Sequence, residues 1–254
     1  EIRRRPGSVP SGNQHPALSR SMMFKTADGG LMRPADYLPT ARRVRLKSSR
    51  TCTGSLVLGA DFGQRLEFES KLERDAILTF YARPDVERVL SQYPRVAYIG
   101  ADGKPHQYTF DLQVTLTSGE VVAVEVKPEI YVEKRDIRAL LARIAAQMPR
   151  SVADRVSLVT ERNLDAVTVA NAELIHTSRF HDPLADEQVS AVLARATGTV
   201  IVAEIARRSG LGPRTVSAVA RLIRAGEVRL ERHEHIGMGA RVCATEISQE
   251  RKAA

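Results

Sequence analysis

From residue 66 onward, apolar positions recur at spacings that separate helices from strands. Leu72, Ala76 and Phe80 repeat every four residues, and Ser70-Lys71-Leu72-Glu73 carries the S-x-x-E capping-box signature. A helix is therefore predicted from Ser70 to about Tyr81. A strand is expected around Arg95–Ile99, followed by the turn signal Asp102-Gly103 and a second strand starting near Gln107. Ile137, Leu140, Leu141 and Ile144 share one face of a helix expected over residues 133–148. Val156–Val159 reads as a short strand, and Ala170–Ile175 as a further element of either kind. From Asp186 the pattern turns to short helices: Asp186–Ala196, Val200–Ser209, and a third from Pro213 to Ala225, stopped by Gly226. Val228–Leu230 and Arg241–Thr245 then read as strands around a Gly237–Gly239 loop. Helix, turn, helix and a two-stranded wing is the winged-helix order.

Three segments follow from this reading. Residues 1–35, rich in Arg, Pro, Ser and Gly without apolar periodicity, are expected to form a disordered arm. Residues 36–182 form a first domain and residues 183–254 a winged-helix domain. The chain starts without Met, and Met22 and Met23 follow an unpatterned stretch, so an artefactual start is one reading of residues 1–21. Arg42, Arg43, Arg45, Lys47 and Arg50 form the densest basic run, either a solvated arm or a phosphate-contacting one. The formal net charge of +8 makes a polyanion, and double-stranded DNA in particular, an expected partner. No apolar run approaches the roughly 20 residues of a bilayer span, so no membrane association is expected. The two cysteines, Cys52 and Cys243, are far apart, which fits a reducing, cytoplasmic compartment and excludes a four-cysteine zinc site.

The most informative stretch runs from Tyr108 to Pro128. Thr117-Ser118-Gly119 suits a three-residue hairpin loop with Gly in the left-handed position. That register pairs Leu116 with Glu120 and brings Asp111 opposite Glu125. Alternation then puts Leu112, Val114, Leu116, Val122, Val124 and Val126 on one face and Asp111, Gln113, Thr115, Glu125 and Lys127 on the other. Phosphodiester hydrolysis needs a hard cation, and Mg²⁺ takes one or two carboxylates while keeping several waters. Asp111 and Glu125 supply those two, the Val126 carbonyl a third oxygen, and Lys127 a cation to position water or meet developing charge. The plainer reading is a solvent-facing hairpin whose charges pair across strands. Glu73 adds a carboxylate from the preceding helix, where it also fills the N3 position of the capping box.

A D-x(n)-E-x-K hairpin behind a Glu-bearing helix resembles the PD-(D/E)XK nucleases. More narrowly, the chain resembles TnsA, the endonuclease subunit of heteromeric cut-and-paste transposases. The resemblance runs through Asp36-Tyr37-Leu38-Pro39, Ser70-Lys71-Leu72-Glu73, Asp85-Val86, Tyr93-Pro94, Phe110-Asp111-Leu112, Glu125-Val126-Lys127-Pro128 and Thr160-Glu161 to the winged-helix tail. It implies a restriction-endonuclease-like α/β fold, a mixed sheet flanked by helices, with the small winged-helix domain behind it. It implies Glu73, Asp111, Glu125 and Lys127 as catalytic residues, with Mg²⁺ or Mn²⁺ on Glu73, Asp111, Glu125 and Val126. Phe110 departs from the Pro found in many of these nucleases, and some members carry Gln where this chain has Glu125. The expected activity is cleavage of the 5′ strand at transposon ends. The implied partners are a TnsB-like DDE transposase, which cuts and joins the 3′ ends, and a TnsC-like AAA+ ATPase regulator.

Arg214, Arg221 and Arg224 stud the third C-terminal helix, with Val216, Val219 and Ile223 expected on its buried face. Such a helix either reads DNA or belongs to a domain that docks a protein partner. His233 and His235 read as residues of a solvated wing rather than a metal pair, and His106 as a loop histidine. Two rival functions stand beside the transposase endonuclease: a non-catalytic winged-helix DNA-binding regulator, and a free-standing defence or repair nuclease.

Overall fold

The computed structural model describes residues 24–25, 31–32, 36–38, 40–42, 44, 52–60 and 63–246. The short strands β1 (Phe24–Lys25) and β2 (Leu31–Met32) pair antiparallel. The arm expected to be disordered over residues 1–35 therefore contains one strand pair, and the sequence between its strands holds the turn signal Asp28-Gly29-Gly30. β3 (Asp36–Tyr37), β4 (Gly54–Leu58) and β5 (Gln64–Phe68) form a three-stranded sheet with β5 in the middle. Regular structure thus begins well before residue 66. In β4 only Leu58 is fully buried, so its alternation is too shallow to stand out in the sequence.

Helix α1 (Lys71–Ala82) starts where Ser70 predicts it, with the Ser70 Oγ accepting from the Glu73 N–H at 3.1 Å. The next strands are β6 (Val86–Ser91), the hairpin β7 (Arg95–Ile99) and β8 (Pro105–Thr109), then β9 (Leu112–Leu116) and β10 (Val121–Val126). The helix expected over residues 133–148 is two: α2 (Glu129–Lys134) and α3 (Ile137–Gln147), broken at Asp136, whose φ is +46°. Val132 of α2 joins the core of Ile137, Leu141 and Ile144, whereas Ile130 and Tyr131 are exposed. β11 (Arg155–Val159) follows, and Glu161–Asn163 form a single 3₁₀ turn. The element expected at Ala170–Ile175 is a helix, α4 (Ala166–Thr177), capped by Asp165.

β6, β9, β10 and β11 make a four-stranded mixed sheet in the order β11-β10-β9-β6, antiparallel except where β10 meets β11. One face packs Leu112, Val114, Val122, Val124 and Val126 against Ala76 and Ile77 of α1. The other packs Phe110 and Ala123 against Ile137, Leu141 and Ile144 of α3. Burial of each such Val, Leu, Ile or Phe side chain contributes roughly 1.5–3 kcal/mol. The protein is thus a mixed α/β structure built of several sheets and helices.

The C-terminal elements are α5 (Pro183–Ala194), β12 (Val200–Ile201), α6 (Val202–Ser209), α7 (Arg214–Arg224), β13 (Val228–Leu230) and β14 (Arg241–Ala244). β14 lies between β12 and β13 in a small antiparallel sheet, so Val200 and Ile201, expected to open the second helix, instead pair with Val242 and Arg241 and give the sheet a third strand. Their core holds Val189, Leu193, Ile205, Val219 and Val242 and continues across position 182 to Ile175, Leu174 and Tyr81. No helix among the described residues is long and apolar enough to cross a membrane.

Candidate active site

Hairpin register assembles the site. Leu116 donates to the Glu120 carbonyl at 2.8 Å, and Val121, Val122, Ala123 and Val124 pair with Thr115, Val114, Gln113 and Leu112. Gly119 has φ +88°, the left-handed conformation that the loop requires. Continued one step past the end of β9, this register sets Asp111 opposite Glu125. The Val126 N–H donates to Asp111 Oδ2 at 2.9 Å and fixes that carboxylate against the neighbouring strand.

Lys127 closes the group. Its Nζ lies 3.0 Å from Asp111 Oδ2 and 2.8 Å from Glu125 Oε1. Asp111 and Glu125 are buried, as is Gln113, whose Nε2 donates to the Val152 carbonyl at 2.9 Å. The polar face of the hairpin is therefore not solvent-facing, because the layer carrying α3 covers it. Glu125 Oε2 is buried and has no hydrogen-bond partner.

Glu73 arrives from the first turn of α1. Its Oε1 accepts from the Ser70 hydroxyl at 3.1 Å and its Oε2 from the Glu69 N–H at 2.9 Å. It therefore serves the helix start and also lies within the electrostatic reach of Asp111 and Lys127. Burial, reinforced by the Asp111 charge, pushes both Glu73 and Glu125 up to about 7. Burial pulls Lys127 down, but Asp111 and Glu125 outweigh it and hold the ammonium well above its ordinary value. Three carboxylates thus share one lysine.

Tyr108 and Gln92 also belong to the site, and sequence reasoning passed over both. Tyr108 packs edge-on against Phe110 and faces Glu125 without satisfying Oε2. Burial, then the Glu125 charge, raises its phenol far above the usual range. Gln92 is buried directly after β6, and its Nε2 lies 3.4 Å from Glu73 Oε2. The only sequence signal for Gln92 was its place beside the Tyr93-Pro94 motif.

The donor set suits a hard divalent cation. Glu125 Oε2 is unsatisfied, and the carboxylates outnumber the cations around them. Among the described residues, no three His, Cys, Asp or Glu side chains gather as a ready metal cage. Mg²⁺ does not need one, since one or two carboxylates and water suffice.

The basic residues fall elsewhere. Arg42 donates to Glu69 Oε2 and to Gln92 Oε1, both at 2.6 Å, while Arg43 and Arg45 lie outside the described residues. Arg214 forms a forked pair with Asp182. Arg221 binds Asp186 and the Ser178 carbonyl. Arg224 donates to the Val86 carbonyl at 2.9 Å and lies over the Tyr81 ring. All three arginines of α7 thus bind other parts of this chain. Val219 is fully buried on α7, whereas Val216 and Ile223 are partly buried. His233 pairs with Asp165, and His106 with Asp102. A cleft of about 890 Å³ lined by Val86, Arg88, Asp186, Arg221 and Arg224 contains none of the four carboxylate-site residues.

No protein-family model matches the chain, and no curated protein matches it in sequence.

Proposed function

We propose that this protein is a metal-dependent DNA endonuclease. The observation that carries the reading is the convergence of Asp111, Glu125 and Lys127 at 3.0 Å or less, with Glu73 close enough to feel the Asp111 charge. A mixed sheet flanked by helices supports a restriction-endonuclease-like core, and the order from α5 to β14 supports a winged-helix domain. Within that class, the motifs favour a TnsA-like subunit that cleaves one strand at transposon ends beside a DDE transposase and an AAA+ ATPase.

Asp111 and Glu125 would hold the cation, with the Val126 carbonyl and Glu73 as further oxygen donors. When bound, Mg²⁺ or Mn²⁺ supplies Lewis acidity to the phosphate and lowers the pKa of its water. Lys127 stays charged at neutral pH, so its ammonium orients water or a phosphate oxygen through hydrogen bonds. Burial of the carboxylates keeps bulk water away and strengthens each of these contacts. The engaged arginines of α7 favour the protein-docking role of the C-terminal domain over DNA reading.

Asp111→Ala and Lys127→Ala should each lower strand cleavage on the order of 100-fold or more while DNA or partner binding persists. The assay is Mg²⁺-dependent nicking of DNA by the full chain, with and without a partner transposase. Cleavage that survives in Lys127→Ala would overturn the assignment.

A further inference from the structure

Gln92 is tethered at every polar atom that it owns. Its N–H donates to the Asp111 carbonyl at 2.7 Å, and its own carbonyl accepts from the Ala41 N–H at 2.9 Å. Its Oε1 accepts from Arg42 Nε at 3.1 Å and Nη2 at 2.6 Å, and its Nε2 reaches Glu73 Oε2 at 3.4 Å. The residue is 1% exposed and has φ +52°, a conformation disfavoured for any residue with a Cβ. Such a backbone persists where the surroundings over-determine it.

The amide has a polarity that its neighbours dictate. A guanidinium carries only donors, so Arg42 forces Oε1 towards itself. The Nε2 must then point the other way, at the Glu73 carboxylate. Without Arg42 only the Glu73 contact at 3.4 Å still opposes a flip that would turn the amide oxygen onto a carboxylate oxygen. Arg42 is itself pinned by Glu69, two residues past the segment that begins with Glu67 N–H on the Ser91 hydroxyl. The chain entering from residue 41 is thus tied through one glutamine to both Glu73 and Asp111.

We infer that Gln92 is a positioning residue: its side chain sets the Glu73 carboxylate, its main chain sets Asp111, and Arg42 locks the amide in the working orientation. This rests on the nuclease reading of the site. It assigns Arg42, the one described arginine of the basic run, to holding the site in order rather than to gripping a phosphate.

The test uses the full chain, with Mn²⁺ binding by calorimetry and nicking of supercoiled plasmid DNA as separate readouts. Gln92→Met keeps volume and removes the amide. Gln92→Gly removes the side chain while relieving the left-handed backbone. Arg42→Ala leaves the glutamine in place but unlocks it. Each variant should weaken Mn²⁺ binding or lower kcat on the order of 10-fold or more, with the KM for DNA unchanged. Arg42→Ala should show the smaller effect. Lower melting temperatures with unchanged Mn²⁺ affinity and kcat would mean a purely structural glutamine and overturn the inference. A rise in KM alone for Arg42→Ala would return that arginine to phosphate binding and overturn its locking role. If the parent chain binds Mn²⁺ but nicks no DNA even with its partners, the nuclease reading fails. Gln92 is then judged on Mn²⁺ affinity alone. If the parent binds no Mn²⁺, both fall together.

Discussion

Glu125 is 2% exposed, with one oxygen on Lys127 and the other without a partner. Glu73 is nearly as buried, and both are pushed from 4.5 to about 7. Their protons bind more tightly in the folded chain than in the unfolded one. Between roughly pH 4.5 and 7 the folded state therefore holds more protons, and stability falls as pH rises through that window. In the absence of divalent cations, the thermal midpoint should drop from about pH 5 to pH 8, and Glu125→Gln should flatten the decline. Mg²⁺ should raise the midpoint more at pH 8, where the carboxylates are ionised, than at pH 5. A midpoint that climbs across the same window would contradict the buried-carboxylate picture. At this scale Asp111, Glu125 and Lys127 were legible because strand alternation alone puts them on one face. Gln92 and Tyr108 were not, since their contacts with Glu73 and Glu125 join strands and helices distant in sequence.

The hairpin of β9 and β10 carries the site because its loop chemistry sets its register. Gly119 sits at φ +88° with open space around the position of a Cβ. Gly119→Ala should therefore cost about 1 kcal/mol through backbone strain alone, with no clash to add. Urea unfolding would measure it, and a neutral result would mean that the loop adopts another turn. The same local signals marked α1, where Ser70 caps the helix as its sequence predicts. They failed for β6, where a register shift between Val86 and Arg88 interrupts the alternation. They failed again at α2 and α3, because the left-handed Asp136 carries no glycine or proline to announce a break.

Across the whole molecule, the C-terminal elements are joined to the α1 and β6 region by a shared core and by the arginines of α7. Arg221 is 13% exposed and holds Asp186 and the Ser178 carbonyl together. Arg221→Met should lower global stability by about 2 kcal/mol, since it leaves both acceptors without their charged donor. It should leave the salt dependence of DNA binding unchanged, because an arginine on no phosphate contributes nothing to that slope. A flatter slope with unchanged stability would instead place Arg221 on DNA.

The sequence by itself determined the local order: where α1 starts, how the hairpin turns, which carboxylates meet across it, and, after residue 183, the helices and the last two strands but not the short strand at Val200–Ile201. Those features depend on neighbours within a turn or a strand pair, and period, caps and turn residues encode them directly. Only the tertiary structure decided what covers the polar face of the hairpin and which groups complete the site. It also decided whether the arginines of α7 face solvent or the rest of the chain. Each of these depends on contacts between segments far apart along the chain. Arg42 meets Gln92 and Arg224 meets Val86 across 50 and 138 positions. Such contacts follow from how the layers stack, which no local pattern records.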